Sequence, residues 1–115
     1  ITVAVAKDRA IEALMQVGDR FVLNILREDN HQQLMRHFLK RFPPGADRFA
    51  GVNLLEHEAQ GGPVLGDALA YLGCRVEQRL EGPDHWIIYA EVEQGNVADA
   101  DATTAVHHRK VGNHY

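Results

Sequence analysis

The chain has 115 residues, of which 45% are hydrophobic and 24% charged, and its formal net charge is -4. This length suits one small domain, and the negative charge argues against broad nucleic-acid binding, which needs cations to displace counterions. No apolar run is long enough to span a bilayer and no signal peptide is apparent, so we expect a cytoplasmic protein. The single cysteine, Cys74, cannot form an internal disulfide, which fits a reducing compartment.

The first predicted elements are a strand and a short helix. Residues 1–6 predict a strand, because they are apolar and rich in β-branched side chains. Asp8 is the expected N-cap of the helix that follows, and Gly18 is a natural stop just past its end. The buried face of this helix would carry Ile11, Leu14 and Met15. Since the chain lacks an initiator Met and begins inside the predicted strand, we expect an N-terminally truncated piece of a longer polypeptide.

A second strand and a second helix follow. The segment FVLNIL at 21–26 has the composition of a strand. Asp29 or Asn30 can cap the next helix, which we expect to end near residues 40–41. Its apolar positions, three or four apart, are Leu34, Met35, Phe38 and Leu39. The breaker cluster FPPG at 42–45 then leads into the loop ADRFAGV.

The second half of the chain predicts β structure. Ala68–Leu80 and Trp86–Val92 read as strands separated by a turn at 82–84, and Gly95-Asn96 reads as a further turn. Too little helix remains after residue 42 for regular βαβ units. We therefore predict a mainly β fold with two or more helices, arranged as a barrel or sandwich in a single domain over residues 1–115.

Three local patterns could carry chemistry, and each has a simpler interpretation. The cations of AKDRA beside a helix start would suit a phosphate, although an exposed charged helix start is common. The loop DRFAGV could approach a planar ligand through its aromatic ring and glycine, or it could be only a packed loop. His85 in DHW could act as an acid–base, or it could be a turn histidine bonded to its neighbour. The patterns alone leave these alternatives open.

The C-terminal stretch AVHHRKVGNHY raises the question of a metal site. His107, His108 and His114 could converge on zinc, but the short regular ligand spacings of such sites are absent, and a solvated polar strand explains the pattern as well. The chain contains no serine, and Cys74 lies in a predicted strand, so a hydrolase triad is not supported. Neither G-x-G-x-x-G nor a P-loop is present.

Taken in order, several segments resemble one known family over essentially the whole chain. They are AVAKDRAIEAL, GDRFVLNIL, ADRFAGV, GGPVLGDALAYLGCRVE, DHWIIYAEVEQG and AVHHRKVGNHY. The series is similar to that of the flavin reductase-like proteins, which are FMN-binding split β-barrels of Greek-key type. It most resembles the C-terminal flavin reductase domain of cyanobacterial-type flavodiiron (diflavin) proteins. The family's barrel usually begins with two further strands that have no counterpart here, so we expect the first strands to be missing.

The resemblance implies an NAD(P)H-dependent flavin reductase that binds FMN, with FAD as the alternative flavin. No catalytic side chain is implied, because the flavin carries the hydride chemistry. The turn at the flavin phosphate or ribityl chain would be formed by Lys7, Asp8 and Arg9. A loop near the flavin would be formed by Arg48, Phe49 and Gly51. His85 would lie near the flavin ring, and the nicotinamide side would carry His108 and Tyr115.

The resemblance also implies partners. They are flavin and nicotinamide nucleotide, a second copy in a homodimer, and the flavodoxin-like and diiron domains of a parent chain. In that arrangement the module passes electrons from NAD(P)H towards a diiron centre that reduces oxygen. No nucleic acid or membrane is expected. The alternative is a non-catalytic module that holds flavin or docks other domains.

Overall fold

The computed structural model describes residues 1–56 and 59–105. A four-stranded antiparallel sheet has the order β1-β6-β5-β2, and a two-stranded hairpin pairs β3 with β4. The strands are β1 (Thr2–Ala6), β2 (Arg20–Ile25), β3 (Leu54–Leu55), β4 (Val64–Leu65), β5 (Ala70–Glu81) and β6 (His85–Val97). One α-helix, α1 (His31–Phe38), and one 3₁₀ helix (Ala10–Leu14) complete the described part. The prediction of a mainly β chain is therefore confirmed.

In the part of the chain that the structure describes, two clusters of buried side chains form the core. The first core cluster consists of Val5, Met15, Val76 and Ile88, with Trp86 among the partly buried residues packed against it. The second core cluster consists of Leu34, Leu65 and Ala68. The first lies under β1, β5 and β6, and the second lies between α1 and the β3–β4 hairpin. Neither helix in the described ranges has the length and apolar character that crossing a membrane requires.

The hairpin of β5 and β6 contains an irregularity that changes which side chains face the core. Val76 pairs with Ala90, but Gln78 pairs with Tyr89, so Glu77 is an extra residue on β5. Side chains alternate between the two faces of a strand, and one extra residue reverses that alternation beyond it. As a result Leu80, which regular alternation would bury with Val76, is 68% exposed.

The first predicted helix differs from expectation. The segment forms a five-residue 3₁₀ helix whose N-cap is Arg9 rather than Asp8, with no side-chain capping bond. Ile11 and Leu14 are 53% and 68% exposed, so only Met15 of the predicted buried face reaches the core. A 3₁₀ helix has three residues per turn, which places residues 11 and 14 one above the other on a single side. That side faces solvent.

Two further expectations, the turn at Gly95-Asn96 and the start of β5, are corrected. The Gly95-Asn96 pair is not a turn, because both residues continue β6 and pair with β5. A Cβ on Gly95 would lie 2.8 Å from the Tyr71 carbonyl oxygen, so this glycine permits close strand approach. The β3–β4 hairpin was not predicted, and β5 begins at Ala70 rather than at residue 68. Of the two candidate caps of α1, Asn30 holds the N-cap position, but without a capping bond.

Asn24 explains how the short β3–β4 hairpin is held, and it corrects the view of this residue as a polar interruption. The backbone N–H of Leu65 donates to Asn24 Oδ1 at 2.8 Å, and Asn24 Nδ2 donates to the Pro63 carbonyl at 3.2 Å. Two-residue strands supply few backbone bonds of their own. The amide side chain of β2 therefore fixes β4 against the main sheet.

Replacing Ile88 by alanine should strongly destabilise the chain. Its side chain is fully buried in the first core cluster. The loss of apolar contacts and the remaining cavity should lower the free energy of unfolding by about 2–5 kcal/mol. Ile87→Ala is the matched control, because Ile87 is next to Ile88 in β6 but lies on the outer face, where it is 39% exposed. Urea denaturation measures both, and equal losses would contradict the assignment of faces.

Candidate functional site

The end of β1 and the start of β6 bring together four of the predicted site residues. Ala6 pairs with His85 across the two strands, and the backbone N–H of Lys7 donates to the Asp84 carbonyl at 2.9 Å. The turn 7–9 therefore lies beside the Asp84-His85 pair. We call this group of residues, 7–9 with 84–85, the turn site.

The charges of the turn site are nearly balanced. Lys7 Nζ donates to Glu81 Oε1 at 2.7 Å, so much of its charge is compensated. Arg9 pairs only loosely with Asp8, at 3.7 Å, and its side chain is 74% exposed. The Asp84 carboxylate adds a further negative charge to the turn site. Because Lys7 is paired and Arg9 is exposed, Arg9 is the cation best placed to contact an anionic ligand.

The helix start after the turn favours a phosphate less than the sequence predicts. The prediction requires an α-helix, whose aligned peptide dipoles would make the start electropositive. The segment forms only a five-residue 3₁₀ helix, with few aligned peptides. Any affinity of the turn site for phosphate must come mainly from its side-chain cations.

His85 contacts its sequence neighbour. Its Nδ1 lies 3.0 Å from Asp84 Oδ1, and because a carboxylate oxygen accepts, Nδ1 is the donor. This hydrogen bond, followed by the positive charge of His85 when protonated, lowers the pKa of Asp84 below its ordinary value. The geometry thus shows the turn histidine that the sequence left as one alternative. Neutral His85 keeps Nε2 as an acceptor for a ligand.

Trp86, which sequence analysis had treated only as a strand residue, adjoins the turn site. Lys7 Nζ lies over its ring at 5.5 Å from the centroid, and Arg79 Cζ lies over it at 4.1 Å. Arg79 also donates to Glu12 Oε1 and to Gln16 Oε1, which connects β5 to the 3₁₀ helix. The signal in the sequence was weak, since these residues come from separate segments.

The second group of predicted residues lies in the loop between α1 and β3. The ring of Phe49 packs 5.4 Å from that of Phe38, and Phe49 adjoins the second core cluster. The Arg48 carbonyl accepts a hydrogen bond from His37 Nε2 at 2.7 Å, and the Arg48 guanidinium lies over the Phe42 ring. These contacts favour the packed-loop interpretation for Phe49 and Arg48.

Gly51 is the member of this group that faces open space. Its φ is +77°, a conformation that favours glycine, and a Cβ built there would meet no atom of the described residues within 4 Å. It borders a cavity of about 240 Å³ whose lining is mixed polar and apolar. The cavity is lined by Asn30, Gln33, Leu34, His37, Gly51, Val52, Asn53 and Asp67. Apart from Gly51, sequence analysis did not assign these residues to a site.

The two groups lie at opposite ends of the β5–β6 hairpin. The turn site is at the closed end, where Glu81 pairs with Trp86, and the cavity is near the open end, where Ala70 pairs with Val97. A strand of 12 residues spans up to ~40 Å, less where bulges bend it. Among the described residues, no hydrogen bond, ion pair or ring contact joins the two groups.

The remaining candidates lie outside the described residues. These are His108 and Tyr115 of the proposed nicotinamide side, together with His107 and His114 of the metal alternative. Within residues 1–56 and 59–105, no group of three or more His, Cys, Asp or Glu side chains is placed to hold a metal ion. Cys74 is buried in β5, and burial raises the pKa of its thiol.

Comparison with protein families gives a match over nearly the entire chain. Residues 1–113 match the flavin reductase like domain. Diflavin flavoprotein A 1 of Synechocystis sp. is 69% identical over 99% of this chain, and Putative diflavin flavoprotein A 1 of Thermosynechococcus vestitus is 61% identical over all of it. The chain spans about 20% of the length of each relative.

Solved structures show the same architecture. The NADH:FAD oxidoreductase SgcE6 of Streptomyces globisporus C-1027 superposes with a TM-score of 0.75 at 28% identity, over 90% of this chain and 60% of its own. The styrene monooxygenase flavin reductase of Pseudomonas putida S12 gives a TM-score of 0.64 at 26% identity, over 85% of this chain and 59% of its own. These likenesses confirm the predicted split-barrel fold.

Replacing His85 by alanine should raise the pKa of Asp84 towards its ordinary value. Both main causes of the lowered pKa, the hydrogen bond and the charge of His85, would be removed. Carboxyl ¹³C NMR titration measures this directly, and Asp84 should become protonated at a higher pH than in the unmodified chain. His31→Ala is the control, because His31 bonds instead to the Glu28 carbonyl. An unchanged Asp84 titration in His85→Ala would contradict the contact.

Proposed function

Because the chain belongs to the flavin reductase like domain family, we propose that it is an FMN-binding NAD(P)H:flavin oxidoreductase module. In a longer polypeptide it would feed electrons to a diiron oxygen-reducing centre. The observation that carries the proposal is the match over residues 1–113, joined to 69% identity with a diflavin flavoprotein. One neighbouring structure, that of SgcE6 in complex with NAD and FAD fragments, shows both kinds of nucleotide on this fold.

The turn site and the adjoining Trp86 are chemically suited to a flavin nucleotide. Arg9 offers an exposed guanidinium, which can donate two parallel hydrogen bonds to a phosphate. Trp86 offers a half-buried aromatic surface, and His85 offers a ring nitrogen that can accept. The carboxylates of Asp8 and Asp84 limit the net positive charge. We therefore expect moderate phosphate affinity, with Arg9 as its main source.

The role of the protein in the reaction is binding and orientation. Bound flavin supplies the redox chemistry, as the acceptor of a hydride from the nicotinamide. Arg9 neutralises phosphate charge, and Lys7, held by Glu81, adds a second donor at the same turn. The hydrogen bond to Asp84 orients His85. Hydride transfer needs no acid–base side chain, which agrees with the lack of a triad in the sequence.

The proposal extends to the setting of the domain. The chain spans one fifth of the length of its diflavin relatives. We propose that it works as one domain beside flavodoxin-like and diiron domains, in the cytoplasm and as a homodimer. Arg48, Phe49, Gly51, His108 and Tyr115 remain proposed contacts of the flavin or the nicotinamide.

A second candidate is a module that holds flavin or docks domains without turnover. It is favoured by the distance between the turn site and the cavity beside Gly51, which are at opposite ends of the hairpin. If a single flavin meets only one of these groups in each copy, the chain could bind the cofactor and still lack a complete nicotinamide site.

Titration with FMN followed by stopped-flow mixing with NADPH and NADH tests both candidates. The reductase proposal expects saturable quenching of flavin fluorescence, followed by bleaching of the bound flavin's absorbance near its visible maximum after mixing. Binding without bleaching with either nucleotide would support the non-catalytic module. Absence of flavin binding to folded chain would overturn the reductase proposal and the flavin-holding form of the second candidate, and would leave only domain docking. Circular dichroism on the same samples establishes that the chain is folded.

Arg9→Ala should weaken FMN binding by about tenfold, the effect of losing one charge-assisted hydrogen bond to phosphate. The matched control is Arg36→Ala, which removes the same charge from an exposed position on α1. Dissociation constants come from the fluorescence titration at fixed salt. Equal FMN affinities of the unmodified chain and Arg9→Ala would contradict the proposal that the turn 7–9 binds the flavin phosphate.

A further inference from the structure

Arg79 occupies an unusual place for an arginine on a sheet. Its side chain is only 10% exposed, and it contacts Glu12 in the 3₁₀ helix and Gln16 just past the end of that helix. Its guanidinium also lies over the ring of Trp86, 4.1 Å from the centroid. A side chain so enclosed cannot extend to an external ligand, so any role in binding must act through its neighbours.

The extra residue Glu77 is what brings Arg79 to this position. Without it, alternation from buried Val76 would place Arg79 on the outer face and Leu80 in the core. With it, Arg79 pairs with fully buried Ile88 and shares its face, while Leu80 is 68% exposed. Bulges often re-aim a side chain beside a functional site.

Stability gives little reason for this exchange. Enclosing an arginine instead of a leucine costs desolvation, and a buried ion pair is often replaceable by apolar residues without loss of stability. Arg79 Nε is in addition buried with no hydrogen-bond partner in the described part of the chain. An ion pair does, however, fix relative position and angle more narrowly than apolar packing does.

The contacts of Arg79 converge on the turn site. Glu12 belongs to the 3₁₀ helix that directly follows the turn 7–9, and Arg9 is the N-cap of that helix. Lys7 lies over the same Trp86 ring that Arg79 contacts, and it bonds to Glu81 two residues further along β5. Arg79 therefore restrains both sides of the turn, one through the helix and the other through the tryptophan.

We propose that Arg79, placed on the buried face by the Glu77 bulge, is a positioning residue that holds the turn 7–9 in the geometry for a flavin phosphate. This inference rests on the proposed function. It predicts that the pair Glu12–Arg79 contributes to the distinction between FMN and riboflavin, which differ only by the phosphate, and contributes little to stability.

The test compares FMN and riboflavin affinities of the unmodified chain, of Glu12→Leu/Arg79→Met and of Glu12→Ala. The double variant should keep its urea midpoint and its riboflavin affinity but lose about tenfold in FMN affinity, the effect of one charge-assisted hydrogen bond. Glu12→Ala changes only one helix side chain, and we expect from it the same selective loss of FMN affinity. It keeps the inference testable if the double variant folds poorly. Emission of Trp86, the single tryptophan, reports whether its surroundings change.

The matched control is Arg75→Met, which removes the same charge from the same strand. Arg75 is 37% exposed and pairs with Glu77, Glu91 and Glu93, away from the turn site. It should leave the ratio of FMN to riboflavin affinity unchanged. An unchanged ratio in both Glu12→Leu/Arg79→Met and Glu12→Ala would overturn the inference, as would an equal loss of both flavins.

The same measurements separate this inference from the proposed function. If the unmodified chain binds neither flavin, the proposed function fails and the inference falls with it. If it binds FMN and riboflavin equally, flavin binding stands and the phosphate role of the turn is wrong, so the inference is overturned alone. If only the variants lose the preference for FMN, both hold.

Discussion

The pairing of β5 with β6 is the constraint on which the rest of the structure depends. Both edge neighbours of the main sheet, β1 and β2, pair with this hairpin and not with each other. The first core cluster takes Val76 from one of its strands and Ile88 from the other. His85 lies at the closed end of the hairpin. The Asp84 carbonyl, at the same end, accepts a hydrogen bond from the backbone N–H of Lys7 in the turn 7–9. Loss of register there would disturb the core and the candidate site together.

One extra residue in that pairing links packing to the proposed chemistry. The Glu77 bulge exchanges an apolar side chain for an arginine on the buried face, at the point where the sheet meets the 3₁₀ helix. The exchange exposes Leu80 and encloses Arg79, so burial of apolar surface does not account for it. Enclosing Arg79 restricts the position of the neighbouring turn 7–9. This restriction is a physical reason for an arrangement that burial of apolar surface alone would not favour.

The sequence predicted elements well where local pattern and tertiary contact agree. The strands around FVLNIL and WIIYAEV and the helix after Asn30 lie where composition placed them. It failed at Gly95-Asn96, because a local turn signal cannot reveal that Tyr71 and Leu72 pair with these residues from a distant segment. It also failed at Ile11 and Leu14, whose spacing suits an α-helix, although the five-residue segment winds as a 3₁₀ helix with that side in solvent.

For the candidate site, the sequence by itself determined the family, the residue types in the turn 7–9 and the Asp84-His85 pair, since these lie in contiguous segments with a recognisable order. Only the tertiary structure decided that the turn meets His85 while Gly51 lies at the far end of the hairpin, because strand register sets those distances. It alone also placed Arg79 against Trp86. A bulge leaves no local signature in the residue pattern, and the face on which a side chain lies depends on pairing partners many residues away.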